Sequence, residues 1–499
     1  MIRLHSTATG DLIPLDPVRD GEVGIYVCGA TVQGAPHIGH MRSAVVFDQL
    51  RRWLTYRGLR VTLVRNTTDI DDKILTKSIE EDRTWWAHAY YYERVFTAAY
   101  DAMNVLPPSY EPRATGHIPE MVALIQRLID AGHAYTADDG SGDVYFDVRS
   151  WARYGALTHQ SVDDMSDAAD ADPRGKRDVR DFALWKGHKA GEPDTASWPA
   201  PWGRGRPGWH IECSAMSTKY LGAEFDIHGG GLDLRFPHHE NEMAQSNAAG
   251  DAFARIWMHS GLLNVGGDKM SKSLGNSVFA HDLFDQFPTV VLRYFLSTAH
   301  YRSVLEFTPS LVEKQQTAFD KLSGFITRAR EALGADAPAV PEAAVGYHHR
   351  VTDVPDEFAQ AMDDDLSIPR ALASVFSTVR DGAQLVGAAK NDDLDDTGRA
   401  RLGTLLAQVE LMLDILGVNP TDPAWAAAAT GASAADASGG DDPARTALDG
   451  LVDLVARQRL DAKAAKDFAT ADALRDQLRA VGVLIEDTPD GYRYDLARD

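Results

Sequence analysis

Cysteine is scarce in this chain of 499 residues, which contains only Cys28 and Cys213. Two thiols cannot build a disulfide scaffold, so that class of small cross-linked protein is excluded. Long apolar runs are missing as well, since no stretch reaches the roughly 18 uninterrupted apolar residues of a membrane-spanning helix. Residues 1–8 lack the apolar segment of a secretory signal. These absences predict a cytoplasmic protein with no membrane association.

Positive charge is also in short supply. The chain has 50 Lys and Arg against 73 Asp and Glu, a formal net charge of −23. Proteins that coat nucleic acid indiscriminately need an excess of Lys and Arg to contact phosphates, so that class is disfavoured. A nucleic-acid substrate held by a local basic patch is still compatible with this balance.

What is present is the composition of a globular protein, with 44% apolar and 25% charged residues. A chain of this length exceeds one ordinary core, so two to four domains are expected.

The N-terminal region alternates strand and helix patterns. Residues 24–29 predict a buried strand, residues 41–56 have helical periodicity, and residues 60–66 predict a second strand. A strand, a helix and a strand in this order form a βαβ unit, so we predict an α/β fold with a parallel sheet of Rossmann type.

A second strand pattern, at residues 225–228, runs through glycines 229–231 into a helix that begins near Pro237. The sheet is therefore predicted to be split by an insertion at 112–206. The insertion has its own predicted helix at 118–131 and strand at 143–146.

The remainder of the chain is predicted to be mainly helical, with helices at 310–333, 357–385 and 399–416. A linker rich in Ala, Ser, Gly, Asp and Pro follows, and then a small α+β module with a helical hairpin at 447–481 and strands at 483–486 and 492–494. Residues 445–480 hold seven basic and six acidic side chains, so this module could meet a polyanion. The predicted divisions are a Rossmann-type domain at 1–111 and 207–307, the insertion at 112–206, a helical bundle at 308–418, the linker at 419–444 and the module at 445–499.

Two histidines lie where the first predicted strand has ended and the next helix begins. The run from Pro36 to His40 reads Pro-His-Ile-Gly-His. A helix N-terminus favours phosphate, Gly39 permits close backbone approach, and the imidazoles of His37 and His40 can donate to developing negative charge. Taken alone, such a pair is more often a helix cap than a phosphate site.

A lysine pair lies in a glycine-rich loop, where Lys269 to Ser273 reads Lys-Met-Ser-Lys-Ser. Two cations between hydroxyls suit a segment that neutralises a triphosphate. The alternative is a solvated charged loop, as for most lysines at this spacing.

A third group has the residue types of a metal site. Cys28 ends the first strand, Cys213 lies further along the chain, and His238 and Glu242 share one helix face. Two thiolates, an imidazole and a carboxylate make a plausible Zn²⁺ set. Alternatively, both cysteines are small buried hydrophobes, and His239 could replace His238 as the partner of Glu242.

Together, the His-Ile-Gly-His and Lys-Met-Ser-Lys-Ser runs resemble the paired signature of class I aminoacyl-tRNA synthetases. The resemblance to the cysteinyl-tRNA synthetase family extends over almost the whole chain and is carried by residues 26–32, 66–73, 208–216, 225–246, 361–365, 464–468 and 486–488.

The resemblance implies a two-step reaction. L-cysteine is activated with ATP to cysteinyl-adenylate and pyrophosphate, and the cysteinyl group then passes to the 3′ end of tRNA(Cys). It further implies one zinc ion per chain, Mg²⁺ with ATP, and a monomer. A substrate thiolate would be an additional zinc ligand, and whether it makes a fifth ligand or displaces Glu242 is left open.

Site roles also follow from the resemblance. The implied zinc ligands are Cys28, Cys213, His238 and Glu242, and the implied catalytic residues are His37, His40, Lys269 and Lys272. The implied ATP-binding residues are Gly39, His228, Gly229, Gly230, Asp233, Lys269, Met270, Ser271 and Lys272. The implied cysteine and adenylate pocket is lined by Cys28, Gly29, Thr68, Trp209 and His228.

One position departs from the family's pattern, and another has no functional interpretation. Tyr494 stands where the family often has Trp, which puts anticodon contacts in doubt, and Asp268 has no functional interpretation. Two alternative functions stay open: a ligase that joins cysteine to glucosaminyl-inositol in mycothiol synthesis, and a non-catalytic paralogue that binds tRNA or zinc. The ligase family lacks the full C-terminal appendage, and a paralogue would usually have lost one of the intact motifs.

Overall fold

The chain divides into two units, Met1–Ser433 and Ala434–Asp499. The computed structural model describes residues 1–165, 175–269, 277–339, 347, 350–391, 393–425, 452, 454–460, 462–463, 467–480, 483–488 and 491–496. The strands are β1 (Arg3–Ser6), β2 (Asp11–Pro14), β3 (Glu22–Val27), β4 (Arg60–Arg65), β5 (Ala134–Thr136), β6 (Val144–Phe146), β7 (Phe182–Gly187), β8 (Gly205–Pro207), β9 (Glu224–Gly231), β10 (Phe253–Ser260), β11 (Leu263–Val265), β12 (Asp268–Lys269), β13 (Leu305–Phe307), β14 (Val483–Thr488) and β15 (Gly491–Leu496).

The α-helices named below are α1 (Ile38–Tyr56), α2 (Asp72–Glu80), α3 (Trp85–Ala102), α4 (Ile118–Asp130), α5 (Trp209–Leu221), α6 (Glu240–Ala248), α7 (Ala280–Phe284), α8 (Thr289–Ser297), α9 (Pro309–Leu333), α10 (Asp356–Asp363), α11 (Ile368–Lys390), α12 (Asp396–Ile415) and α13 (Phe468–Ala480). No helix in the described parts of the chain has the length and apolar character needed to cross a membrane.

The central sheet has the strand order β10-β9-β3-β4, and all neighbours are parallel. Ile25 on β3 pairs with Leu63 on one side and Ile227 on the other, and all three side chains are buried. Strands buried on both faces are typical of a parallel α/β sheet. The predicted Rossmann-type α/β fold is therefore confirmed, with strands drawn from two distant parts of the chain.

Helix α1 connects β3 to β4 and begins three residues earlier than its periodicity predicts. His37 has an extended backbone (φ −102°, ψ 166°) and caps the helix, and its backbone N–H donates to Nδ1 of His40 at 3.1 Å. Val45, Leu50 and Trp53 are fully buried, so α1 packs along the sheet and carries His37 and His40 at its N-terminal end.

Between the two halves of the central sheet, β5 to β8 form a separate antiparallel sheet, and α4 precedes it. The strand predicted at 143–146 is β6, and the predicted helix at 118–131 is α4. These elements lie within the predicted insertion at 112–206, except that β8 ends one residue later, at Pro207.

The single helix predicted at 357–385 is wrong, because the chain forms two helices, α10 and α11, in this region. At the break, Asp365 takes a positive φ of 60° and is 3% exposed. Its carboxylate accepts from the backbone N–H of His5 (2.8 Å), the hydroxyl of Tyr301 (2.6 Å) and Nε of Arg302 (2.8 Å). These partners are distant in sequence, so tertiary contacts override the local helical pattern.

A buried charge cluster joins α1 to α8 and to the end of α12. Arg52 Nε lies 2.7 Å from Asp48 Oδ2, and Arg293 pairs with the same oxygen. The two guanidinium groups also donate to backbone carbonyls, among them those of Asn104 and Leu416. The charged side chains are at most 1% exposed, so each depends on its partners for compensation.

We expect Asp48→Asn to lower the free energy of unfolding by about 3 to 5 kcal/mol, because it leaves two buried guanidinium groups without their carboxylate. Urea unfolding followed by circular dichroism measures this loss. The control is Glu22→Gln, which removes an exposed partner of Arg60 and should cost at most about 1 kcal/mol. Equal effects of the two substitutions would contradict this reading of the cluster.

The second unit contains α13 and an antiparallel hairpin of β14 and β15. Both predicted strands are present, and Tyr494 pairs in register with Ile485. The predicted linker at 419–444 and the hairpin predicted at 447–481 fall partly outside the described residues.

Candidate active site

The carboxyl ends of β3 and β9 lie side by side, and the chain leaves them in opposite directions. β3 connects through α1 to β4 on one side, whereas β9 connects through α6 to β10 on the other. In open parallel sheets, ligands bind in the crevice at such a reversal. The end of β9 and the segments that follow these two strands together hold most of the predicted site residues.

The four predicted metal ligands come together at this crevice. One ligand atom each from Cys28, Cys213, His238 and Glu242 lies within 4.8 Å of the other three. Oε1 of Glu242 is 3.1 Å from Sγ of Cys28 and 3.0 Å from Nε2 of His238. All four residues are at most 9% exposed. This buried set of two sulfur, one nitrogen and one oxygen donor has the number and chemistry of a zinc site.

Cys28 and Glu242 also belong to a second possible ligand set, with His228 and His239. The sequence leaves open whether His238 or His239 partners Glu242. Oε1 of Glu242 is 4.0 Å from Nε2 of His239, a full ångström further than from His238. The first set also has the second thiol, Cys213, so its softer donors favour zinc more strongly.

The charges in the cluster are coupled. Burial would raise the pKa of the Glu242 carboxyl, but His228 and His238 hold it well below its usual value. Burial lowers the pKa of His238, but the Glu242 carboxylate outweighs that effect and raises it to about 10. A metal ion that binds His238 would therefore compete with a proton.

The turn before α6 differs from the predicted helix start near Pro237. Residues Arg235–His239 form a kinked turn in which Phe236 is extended (φ −136°, ψ 134°), and the Phe236–Pro237 peptide bond is cis. The α-helix itself begins at Glu240. His238 and Glu242 are nevertheless one helical turn apart and adjacent, as their spacing predicts.

Two neighbouring residues on α5 orient His238. The ring of Trp209 stacks on that of His238 at 4.1 Å between centroids. Nδ1 of His210 lies 2.9 Å from Nδ1 of His238, which leaves Nε2 directed at Glu242. Such outer contacts fix the ring orientation of a metal-binding histidine.

The predicted cysteine-pocket residues Gly29 and Thr68 follow β3 and β4. The backbone N–H of Gly29 donates to Oδ1 of Asn66 at 2.8 Å. A Cβ on Gly29 would lie 1.6 Å from the Asn66 carbonyl oxygen, so only glycine fits there. Thr68 is buried, and its hydroxyl donates to Oε2 of Glu212 at 2.7 Å.

The predicted ATP residues at the end of β9 are also closely packed. A Cβ on Gly229 would lie 2.2 Å from the ring of Phe47, and one on Gly230 would lie 2.8 Å from that of His239. Asp233 lies just past the strand in the short helical turn Leu232–Leu234. Glycine therefore lets the end of β9 approach α1 and the metal cluster closely.

The N-terminus of α1 presents the two predicted catalytic histidines. The rings of His37 and His40 are stacked at 3.6 Å between centroids, and Phe96 packs edge-on against His40 at 5.1 Å. Gly39 lies between them in the first turn. The turn has no acidic residue, so the positive end of the helix is available to an anion.

The sequence places Lys269 in a loop, and this prediction is wrong. Lys269 lies in the short strand β12, where it pairs with Asn264 of β11. Met270, Ser271 and Lys272 lie outside the described residues. The chain returns beside α1, where the backbone N–H of Ile38 donates to the carbonyl of Val278 at 3.0 Å.

Comparisons with known proteins agree with this geometry. A family model described as the class I (C) tRNA synthetase catalytic domain matches residues 14–317. Similar proteins include the cysteine–tRNA ligase of Clavibacter sepedonicus, which is 56% identical over 501 residues and 99% of each chain. The cysteine–tRNA ligase of Arthrobacter sp. (strain FB24) is 54% identical over 511 residues and 100% of each chain.

The chain belongs to the cysteine–tRNA ligase family. Its fold is also similar to that of a more distant aminoacyl-tRNA synthetase. A solved Mycobacterium tuberculosis methionyl-tRNA synthetase with bound methionyl-adenylate matches with a TM-score of 0.58 and 16% identity, over 81% of this chain and 92% of that one. At that identity the likeness shows the fold alone.

Within this family fold, the structure adds three polar residues that the sequence motifs do not single out. Glu212 accepts a hydrogen bond from the hydroxyl of Thr68, and His210 contacts the ring of His238 through Nδ1. Nε2 of His259 lies 2.8 Å from Nδ1 of His239. Burial raises the pKa of Glu212 well above its usual value and lowers that of His259 to about 3. His210 and Glu212 lie within the run 208–216 that carries the family resemblance, but no role is assigned to them there, and His259 is only a polar residue within an apolar run.

Proposed function

We propose that this chain activates L-cysteine with ATP and transfers the cysteinyl group to the 3′ end of tRNA(Cys). The carboxylate of cysteine attacks the α-phosphate of ATP, which forms cysteinyl-adenylate and releases pyrophosphate. A ribose hydroxyl of the tRNA then takes the cysteinyl group and releases AMP. The observation that carries the proposal is the buried cluster of two thiols, an imidazole and a carboxylate at the switch point of a class I catalytic sheet.

The amino acid is proposed to bind beside this cluster. Cys28, Gly29, Thr68, Trp209 and His228 lie around it or at the ends of the adjacent strands. Trp209 lies against His238 and offers an apolar face, while Thr68 is fixed by Glu212. These contacts hold the side chains rigidly before substrate binds, which reduces the cost of ordering the site.

We propose that Cys28, Cys213, His238 and Glu242 hold one zinc ion per chain. When bound, zinc supplies a soft Lewis acid that favours a thiolate over a hydroxyl and so distinguishes cysteine from serine. Within the site, His210 keeps Nε2 of His238 toward Glu242, and burial excludes water from the four side chains.

ATP is proposed to bind at the N-terminus of α1 together with Mg²⁺. The positive end of the helix dipole attracts phosphate there, and Gly39 permits close approach. His37 and His40 donate to the phosphates, while Lys269 and Lys272 neutralise the leaving pyrophosphate. The remaining proposed ATP contacts are His228, Gly229, Gly230, Asp233, Met270 and Ser271.

The acceptor distinguishes this function from its nearest rival. The curated relatives named cysteine–tRNA ligase match the chain over its full length, so a cysteine–glucosaminyl-inositol ligase and a non-catalytic paralogue are not favoured. With radioactive cysteine and ATP, we expect label to pass to tRNA(Cys) and not to glucosaminyl-inositol. Transfer to the sugar alone would identify the ligase, and transfer to neither would support a binding protein.

The domain roles are also proposals. We assign catalysis to residues 1–111 and 207–307, connection to the insertion at 112–206, and anticodon binding to residues 445–499. Between them lie the helical bundle at 308–418 and the linker at 419–444. We further propose a cytoplasmic monomer. Support for a separate RNA-binding module comes from the division of the chain at Ser433 and from the near-neutral charge of residues 445–480.

We expect a chain that ends at Ser433 to keep cysteine-dependent ATP–pyrophosphate exchange but to lose most transfer to tRNA. The second unit is compact by itself, so its removal leaves the described site intact. Both half-reactions should be measured on the same preparation, with thermal unfolding as a control for the fold. Equal loss of both half-reactions would show that the module stabilises the catalytic unit instead.

A further inference from the structure

Arg42 links the two ATP motifs through contacts that neither motif contains. It lies on α1, two residues after His40, and its side chain is 1% exposed. Nη1 donates to the carbonyl of Leu262 at 2.5 Å, and Nη2 donates to the carbonyl of Ser303. The two Nη atoms of the guanidinium group therefore hydrogen-bond two separate segments of backbone at once.

Those two carbonyls lie at the base of the small sheet that carries Lys269. Leu262 directly precedes β11, and the backbone N–H of Leu305 donates to the same Leu262 carbonyl at 3.0 Å. β11 pairs in parallel with β13, and on its other side it pairs in antiparallel with β12, where Asn264 faces Lys269. The position of Leu262 therefore sets the position of the Lys269 backbone.

The local backbone is shaped for this contact. A Cβ on Gly261 would lie 2.3 Å from the Ser303 carbonyl oxygen, so glycine allows the two segments to come together under Arg42. Burying a guanidinium group is costly, and burial lowers the pKa of Arg42 to about 10. An apolar side chain would cost less free energy to bury than this guanidinium group. The cost of burial therefore indicates that the hydrogen bonds of Arg42 serve a purpose.

The same helix also holds the chain where it returns after the lysine motif. Besides the bond from Ile38 to Val278, the backbone N–H of Ala280 donates to the carbonyl of Pro36 at 2.9 Å. Both ends of the lysine segment are thus bound to the first turns of α1. The bonds at the return join backbone groups, whereas the bonds from α1 to the start come from the side chain of Arg42.

We propose that Arg42 is a positioning residue that holds β11 and β12, and with them Lys269, at the distance from His37 and His40 that adenylate formation requires. The inference rests on the proposed function. It adds a residue that touches neither ATP nor cysteine and acts through the backbone of Leu262 and Ser303.

The test compares Arg42→Met, which removes both donors at similar volume, with Arg42→Lys, which keeps the charge and one donor. We expect Arg42→Met to lower kcat of cysteine-dependent ATP–pyrophosphate exchange by roughly 10-fold to 100-fold, because small displacements of catalytic groups have effects of this size. The KM for cysteine should stay at the wild-type value, and Arg42→Lys should recover part of the rate. Amides of residues 263–269 should exchange hydrogen faster in Arg42→Met.

The matched control is Gln49→Met on the same helix. Gln49 is buried and also donates to a backbone carbonyl, that of Leu416, but far from the lysine segment in sequence. The Gln49→Met variant should have lower thermal stability, with no change in kcat or in amide hydrogen exchange at residues 263–269. Arg42 would be only a structural residue if Arg42→Met and Gln49→Met changed kcat and amide hydrogen exchange equally. The same would follow if Arg42→Met changed only thermal stability. A wild-type chain without any exchange activity would instead refute the proposed function.

Discussion

Replacing Lys269 with alanine is expected to lower the rate of cysteine-dependent ATP–pyrophosphate exchange by about 100-fold to 1000-fold, the usual effect of losing one well-placed donor. Negative charge on the pyrophosphate grows as the bond to the α-phosphate breaks, so a cation there acts mainly in the transition state. The KM for cysteine should change little, because the proposed cysteine pocket lies at the metal cluster. Lys272→Ala is expected to behave in the same way.

The control for both lysines is Lys77→Ala, which removes an exposed cation paired with Glu80 on α2. It should leave the exchange rate at the wild-type value, which excludes an effect of net charge. If Lys269→Ala and Lys272→Ala also kept the wild-type rate, the motif would be a solvated surface segment. If the two variants raised the KM for ATP and left kcat unchanged, the lysines would bind substrate and transition state equally well.

Replacing Cys213 with alanine is expected to remove zinc from the protein and to abolish most discrimination between cysteine and serine. The variant deletes a thiolate from a buried four-ligand set, and we expect the three remaining side chains to bind zinc far more weakly than all four. The two substrates differ only in sulfur and oxygen, so shape alone separates them poorly. A metal that prefers thiolate could supply the roughly 10⁴-fold ratio that otherwise calls for an editing site.

Two measurements on one preparation check this prediction: zinc content by atomic absorption, and the ratio of kcat/KM for cysteine and serine in exchange. Ser217→Ala is the matched control, since Ser217 is buried on the same helix and its hydroxyl donates only to the Ser214 carbonyl. His239→Gln tests the second ligand set, and we expect it to retain zinc. Loss of zinc from His239→Gln and its retention in Cys213→Ala would reverse the assignment.

The sequence predicts the elements that local pattern determines. β3, β4 and α1 follow from β-branched runs and helical periodicity, and their bounds differ from the prediction by at most three residues. The pairing of Cys28 with Cys213, His238 and Glu242 was open on residue types alone, and the resemblance to a known family supplied the choice that the geometry supports.

Features that depend on distant contacts are not visible in the sequence. The break at Asp365 exists because that carboxylate binds His5, Tyr301 and Arg302. The contact from Arg42 to Leu262 spans 220 positions, and no spacing rule connects them. The strand at Lys269 forms because β11 is held in place by β13, although the local glycines favour a loop.

We expect this chain to activate cysteine at a zinc-containing class I site. Cysteine-dependent ATP–pyrophosphate exchange, with zinc content measured on the same purified protein, tests it most directly. We predict exchange that requires cysteine, is not supported by serine, and comes from protein with about one zinc per chain. A correctly folded, zinc-loaded protein that shows no cysteine-dependent exchange would contradict the account.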